Sequence, residues 1–379
     1  MRIAYDAKRL FNNFTGLGNY SRSVLKSIIE YYPDNDLLLY TPKVQNTPET
    51  RLFLQSPQCL TQKPASIIKG SLWRTMFLPN EVKADKADIF HGLSNEIPVG
   101  LKKRGIPSVV TIHDVAFKTF KDMYHWHDRQ IYTLKFNYAC THADKIVAIS
   151  ENTKADILKF CPNVDESKIH VIYQPVQDIF YVPMEKETAR KIASEAIPAL
   201  PESFLLYVGS INSRKNLMAV VKALECMPES ERLPLVIVGR GKSYKTKVQN
   251  YVAENNLNKY CIWVDYLSDN VALQALYTCA SIFIYPSFYE GFGLPVVEAM
   301  LSRCPVVTSN VSSLPEAGGD GAALIDPKNH LQLADTMLNI LRNDNIRKQM
   351  TEKGFEYATT KFNPHSLATE MINLYKSML

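Results

Sequence analysis

The chain has 379 residues, more than one hydrophobic core ordinarily serves, so two domains are expected. With 46% apolar and 21% charged residues it is no disordered chain, and no apolar run reaches the roughly eighteen residues of a membrane span. The net charge of +5 lies entirely in residues 1 to 180, which hold 23 Lys and Arg against 18 Asp and Glu. That bias includes Lys102, Lys103 and Arg104; it suits a peripheral contact with an anionic membrane, an acidic acceptor or a merely solvated face, and lacks the dense stripe and recognition module of a nucleic-acid binder.

Short apolar, β-branched runs recur along the first half: Ile3 to Tyr5, Leu37 to Thr41, Asp88 to His91, Ser108 to Ile112, Lys145 to Ile149 and Ile169 to Tyr173. Helix-length segments separate many of them. After the first run, KRLFNNFTGLGNYSRSVL puts Gly16 and Gly18 before an amphipathic helix, Tyr20 to Ile29. A strand, glycine loop and helix can bring backbone N–H groups close to a pyrophosphate, although TGLGN lacks the full dinucleotide fingerprint and two glycines also serve as plain turn formers. Asp34-Asn35-Asp36 follows Pro33 and reads as a turn, so no metal is expected there. His113 ends a strand in Ile112-His113-Asp114, where it can meet a sugar hydroxyl or serve only structure. The next stretch, AFKTFKDMYHWHDRQIY, is aromatic and basic, an acceptor or membrane edge. His125, His127 and Asp128 within it lack a further ligand placed by sequence.

The segment Gln174 to Glu187, with Pro175 and Pro183, reads as a linker. The strand rhythm then restarts: Phe204 to Val208, Leu235 to Val238, Cys261 to Val264, Ser281 to Tyr285, Pro305 to Thr308 and Ala322 to Ile325. Two such series predict an α/β protein of two Rossmann-like domains facing across a cleft, with ligands at the carboxyl ends of the strands. The expected divisions are 1–177, acceptor side; 178–363, donor side; and a terminal helix, 364–379, with Leu367, Met371, Leu374, Tyr375 and Met378 on one face. Seven scattered cysteines without a C-x-x-C pair indicate thiols in a reducing cytosol, and no signal-type run follows Arg2 to Arg9, so a cytoplasmic chain is expected, at most peripheral at the inner face of the plasma membrane.

Three motifs of the second half can carry chemistry. Arg214 and Lys215 end the first strand region in YVGSINSRKN, where two cations would stabilise a leaving diphosphate or simply sit exposed at a helix start. Gly239 and Gly241 form a turn fit for close approach by a base or ribose, or a tight turn alone. The third, YPSFYEGFGLPVVEAMLSR, places Glu290 and Glu298 on either side of a turn containing Gly291 and Gly293, with Pro295 at the start of a helix. Amides at a helix start favour phosphate, and two carboxylates each accept two hydroxyls, which together describe a nucleotide sugar.

These motifs, with VAISENTKADI, the stretch Asp265 to Asp269 and TSNVSSLPEAGGDGAALIDP, resemble in order and nearly end to end the retaining glycosyltransferases of family 4, which have the GT-B fold. The resemblance implies that Glu290 touches the donor sugar and Glu298 the ribose hydroxyls. It also implies that amides of Phe292, Gly293 and Leu294 meet the sugar and phosphate, that Arg214 and above all Lys215 grip the diphosphate, and that Gly16 closes over it. By the same likeness Gly18, Gly239, Gly241, Tyr266 and Leu267 line the donor site, His113 stands beside the donor sugar, and the terminal helix crosses back to the first domain. Tyr173-Gln174-Pro175-Val176 departs from the family's usual Asn-Gly-Val before the linker. The implied activity is metal-independent, cofactor-free transfer of a hexose, such as mannose from GDP-mannose or a sugar from a UDP donor, to a glycan or lipid-linked acceptor in surface polysaccharide synthesis. A nucleotide-sugar epimerase and a catalytically silent binding subunit are the alternatives.

Overall fold

A computed structural model describes residues 1–64, 70–267 and 269–379, so that Ser268, inside the expected donor stretch, lies outside the described residues. The chain divides into two compact units, Met1–Pro175 with Asn363–Leu379, and Val176–Phe362. The first holds seven parallel strands: β1 (Arg2–Asp6), β2 (Asp36–Tyr40), β3 (Cys59–Gln62), β4 (Ile89–Gly92), β5 (Ser108–Ile112), β6 (Lys145–Ala148) and β7 (Ile169–Val171). Their order is β3-β2-β1-β4-β5-β6-β7. The second holds β8 (Leu205–Val208), β9 (Leu235–Val238), β10 (Cys261–Val264), β11 (Ile282–Tyr285), β12 (Val306–Ser309) and β13 (Ala322–Ile325), ordered β10-β9-β8-β11-β12-β13.

Both orders turn back beside the first strand of the sheet, which puts a topological switch point between β1 and β4 and another between β8 and β11. Helices connect the parallel strands and cover them, which is why β5, β9, β11 and β12 read as runs of buried residues without polar alternation. Twelve of the strands coincide with the apolar runs of the sequence. The exception, β3, is an edge strand of sequence CLTQ with no fully buried residue, so it carries no apolar signature.

In the first unit the helix Gly16–Tyr31 starts four residues earlier than predicted. Asn13 Oδ1 accepts from the Thr15 amide at 2.9 Å and the Gly18 amide at 3.2 Å, folding the preceding loop onto the first turn. A Cβ on Gly18 would lie 1.7 Å from the Asn13 carbonyl oxygen, so this glycine is required by backbone contact inside the helix. The terminal helix Pro364–Lys376, capped by Asn363, packs against Gly16–Tyr31 and buries Leu367, Met371, Leu374 and Tyr375. The Tyr5 hydroxyl donates to Tyr375 at 3.3 Å, leaving Tyr375 to donate to Nδ1 of His91 at 2.6 Å. Burial holds His91 neutral, pushing it down to about 3, so its Nε2–H donates to Thr111 at 2.8 Å.

Charge is also buried at the β1–β4 switch point. Asp6, at the end of β1, accepts from Arg74 Nε at 3.0 Å and from its Nη2; Arg74 also pairs with Glu96, which pairs in turn with Lys135. Arg74 comes from a π-helical turn, Trp73–Phe77, and both it and Asp6 are only 7% exposed. Burial would raise the Glu96 carboxyl, but Arg74 and Lys135 overcome it and hold it at about 2. Removing the guanidinium strands Asp6 in a dry setting, so Arg74→Met is expected to lower stability by about 3 to 5 kcal/mol in urea unfolding, with much of the loss recovered in Asp6→Asn/Arg74→Met.

Candidate active site

The second unit's switch point gathers most of the residues singled out by the sequence. After β8, Asn212 caps the short turn Ser213–Lys215 by accepting from the Lys215 amide at 3.1 Å. Asn216 then adopts a left-handed conformation, with φ of 57°, and its Nδ2 donates to the carbonyls of Pro286 at 3.1 Å and Pro327 at 2.7 Å. The turn bearing both cations is thereby fastened to the loop after β11. Gly209, with φ of 146°, leaves room for the Lys215 side chain, whose Cδ would stand 3.3 Å from any added Cβ. Sequence reasoning passed over Gly209 and Asn216, although both lie in the YVGSINSRKN motif.

After β11, Glu290 meets those cations. Its Oε2 lies 2.8 Å from Arg214 Nη1, and its Oε1 lies 3.2 Å from Lys215 Nζ while accepting from Tyr285 and Ser287 hydroxyls, each at 2.9 Å. The Glu290 side chain is 12% exposed. Burial alone would raise this carboxyl, yet Lys215 and Arg214 hold it at about 2, so it stays ionised. Lys215 is itself lowered, by burial first, with Glu290 opposing and Arg214 assisting. The Lys215 ammonium donates to Tyr285 and sits 4.7 Å from the centre of that ring. Ser312 and Ser313 clamp the Glu290 carbonyl at 2.7 and 2.8 Å. Neither these serines nor Tyr285 and Ser287 was foreseen as part of the site, though the residues stand in the quoted motifs.

Gly293, with φ of 125°, caps the helix Leu294–Leu301, so Pro295 is the second helical residue rather than the first. A Cβ on Gly293 would approach Leu314 to 2.9 Å. The Phe292 ring is buried edge-on against Phe362, which leaves only the backbone of this residue to meet a ligand. One turn into the helix, Glu298 Oε2 accepts from Tyr277 at 3.3 Å. Burial raises Glu298 to about 7, against weaker opposing effects of the Tyr277 hydrogen bond and the Lys215 charge. The two glutamates are therefore unequal: Glu290 is a fixed anion, and Glu298 exchanges its proton near neutrality.

Gly239 and Gly241 serve the approach of one backbone to another. A Cβ on Gly239 would fall 1.9 Å from the Gly209 carbonyl oxygen, and Gly241 bridges to Ile211. Tyr266 is exposed beneath the Arg240 guanidinium at 5.5 Å, and Leu267 is half-buried. His113, Gly16 and Gly18 belong to the other unit. There His113 Nε2–H donates to the Leu93 carbonyl at 2.8 Å, Gln174 donates to Nδ1 at 3.4 Å, and the ring stands edge-on to Tyr20 at 4.5 Å. Burial pushes His113 down to about 4, so it is neutral at physiological pH. Gly16 is exposed at the start of the helix that carries Tyr20. Among the described residues no three His, Cys, Asp or Glu side chains gather as metal ligands, and no helix is long and apolar enough to cross a membrane.

Two doubly wound parallel sheets, one presenting paired cations and a carboxylate at its switch point, place the chain in the two-Rossmann α/β class. The family model for glycosyltransferase family 4 matches residues 24–178, and that for glycosyl transferases group 1 matches residues 189–357. The chain belongs to the family 4 glycosyltransferases. It is 28% identical to the O-antigen chain mannosyltransferase B of Escherichia coli, over 99% of this chain and 100% of that protein. It is 27% identical to the O-antigen chain mannosyltransferase RfbU of Salmonella typhimurium, over 61% of this chain and 60% of that one. The crystal structure of Anabaena Alr3699/HepE in complex with UDP and glucose has the same fold, with a TM-score of 0.75 at 16% identity over 99% of each chain.

The opposite displacements of the two carboxyls set opposite pH windows. The stability contributed by Glu290 is present above the ordinary value of 4.5 and lost as the pH falls through about 2. That contributed by neutral Glu298 is present below 4.5 and lost as the pH rises through about 7. Glu298→Gln keeps the neutral shape, so it should match the parent in urea unfolding near pH 4.5 and exceed it by about 3 kcal/mol near pH 8.5.

Proposed function

We propose that this glycosyltransferase moves a hexose, mannose from GDP-mannose in the first instance and otherwise a sugar from a UDP donor, onto a glycan or lipid-linked acceptor in surface polysaccharide synthesis. The observation that carries the reading is the Arg214–Glu290–Lys215 cluster at the β8–β11 switch point. Donor binding places the diphosphate against Arg214 and Lys215, beside the amides that open the helix Leu294–Leu301, and the ribose hydroxyls on Glu298. As the bond from the anomeric carbon to phosphate oxygen breaks, the electron pair stays on the phosphate, where the two cations stabilise it without a metal. The acceptor oxygen bonds to the same face of that carbon, and its proton passes to the departing phosphate oxygen, which retains the anomeric configuration.

Glu290 is assigned to the donor sugar and to holding the cations, and not to covalent attack, because its oxygens already engage Arg214, Lys215, Tyr285 and Ser287. His113 is assigned a neutral, wall-forming role beside the sugar, its ring nitrogens being held by Leu93 and Gln174. The second unit is the donor domain and the first the acceptor domain. Mannose is favoured by the activity in the names of the two O-antigen relatives, and a UDP donor by the ligand of the Anabaena protein. A peripheral membrane contact is proposed on the helix Trp126–His142, where Trp126, Ile131 and Leu134 are 60%, 50% and 69% exposed on the same helix as Arg129.

The test is a panel of GDP- and UDP-sugars by thermal shift, followed by transfer assays with the donor that responds. Lys215→Ala should remain folded and lose about 10² to 10³ in kcat, with the product anomer read by NMR. An unchanged rate in that variant, or an inverted product, would refute the assigned chemistry.

A further inference from the structure

A broad concavity of the second unit lies at the wrong end of its sheet to be the donor site. It has a volume of about 1110 Å³ and is lined by Ser203, Leu233, Ser281 and Pro305, which lie one or two residues before β8, β9, β11 and β12. Strands of four residues separate these amino ends from the carboxyl ends bearing Arg214, Lys215 and Glu290 by roughly 13 Å. The two sites are therefore distinct surfaces of one unit.

Six cations line this cavity, Lys186, Arg190, Arg303, Arg342, Arg347 and Lys348, against two acids, Glu202 and Glu231. Residues 181 to 379 hold equal numbers of basic and acidic residues, so the concentration is local. Glu231 is spent on Arg342, which it accepts from twice at 2.7 Å, and Arg347 pairs with Asp344. Among the described residues no ion pair involves Lys186, Arg190, Arg303 or Lys348. Two of those four are nevertheless fixed in place. Arg190 donates to the carbonyls of Pro201 at 2.7 Å and Leu200 at 2.9 Å, and Arg303 lies over the Phe355 ring at 4.1 Å. Arg190 and Lys186 also reach the half-buried Cys279 thiol closely enough to oppose the burial that raises it.

Positioned guanidiniums and unpaired ammoniums around a concave, hydroxyl-bearing floor form a field that concentrates anions, and guanidiniums match phosphate geometry. The volume exceeds what a single phosphate fills. We infer that this cavity is a second ligand site of the protein, which binds a small soluble anion carrying two or more linked phosphoryl groups, separate from the donor diphosphate.

Inorganic tripolyphosphate is the probe, titrated calorimetrically into the full chain. The side chains of Lys186 and Lys348 are exposed and make no hydrogen bond or ion pair among the described residues, so Lys186→Glu/Lys348→Glu can be compared with the parent once equal unfolding temperatures in phosphate-free buffer are established. Binding should weaken at least tenfold in that double variant, persist in Lys186→Arg/Lys348→Arg, and survive Lys215→Ala. Binding lost in Lys215→Ala but kept in the double glutamate variant would place the anion at the donor site and overturn the inference, as would no binding by the parent at 50 mM salt. If the parent ignores tripolyphosphate but sediments with phosphatidylglycerol vesicles, and the double glutamate variant does not, the ligand is a lipid headgroup and the soluble-anion assignment falls.

Discussion

One carboxylate, Glu290, holds two cations at the carboxyl end of a parallel sheet, where burial works against the charge of both Glu290 and Lys215. A lone ammonium at that depth would tend to shed its proton, and a lone carboxylate would tend to gain one. Held together, the carboxylate and the cations supply each other's countercharge. The surrounding devices make the triad rigid: Asn216 ties the cationic turn to the loop after β11, Gly209 lets the lysine lie flat, and Ser312 and Ser313 hold the backbone of the glutamate. Preorganised charge of this kind matters for phosphate departure because its cost is met in folding and not during the reaction.

The two glutamates of the motif also show how identical side chains acquire different chemistry from their neighbours. Glu290 faces cations and stays an anion; Glu298, a turn further on, faces the Tyr277 hydroxyl inside a packed helix and becomes a weak acid near neutral pH. In the first unit Glu96 repeats the arrangement of Glu290, with Arg74 and Lys135 as its cations, at the equivalent strand crossing. Both sheets thus place an ion cluster at the switch point, where parallel topology leaves a crevice that side chains must fill.

Architecture was readable because buried parallel strands are locally apolar, and twelve such runs have no other simple explanation. The edge strand β3 escaped since CLTQ packs only partly and resembles any polar loop. At the site, Glu290, Glu298, Arg214 and Lys215 stood out through chemical type and adjacency to glycine turns. Their pairing did not, for Arg214 and Glu290 are 76 residues apart and no local pattern encodes that contact. The Asp6–Arg74–Glu96 network was invisible for the same reason, and its arginine arrives on a π-helical turn that no periodicity announces. For His113 the strand end was legible, while the partners Leu93 and Gln174 that occupy its ring depend on the folded chain. Gly16 and Gly18 looked like a loop because glycine is rare inside helices; at Gly18 the Asn13 backbone needs the space.

The first unit is not contiguous: its final helix follows the whole second unit in the chain, and Tyr375 fills the hydrogen bond of His91 from nearly three hundred residues away. A ribosome making this protein therefore releases the entire second unit before it delivers the piece that completes the first. During synthesis the helix Gly16–Tyr31 waits with its apolar face uncovered until the helix Pro364–Lys376 emerges behind the second unit. Completion of the first unit is thus deferred until the second has been made.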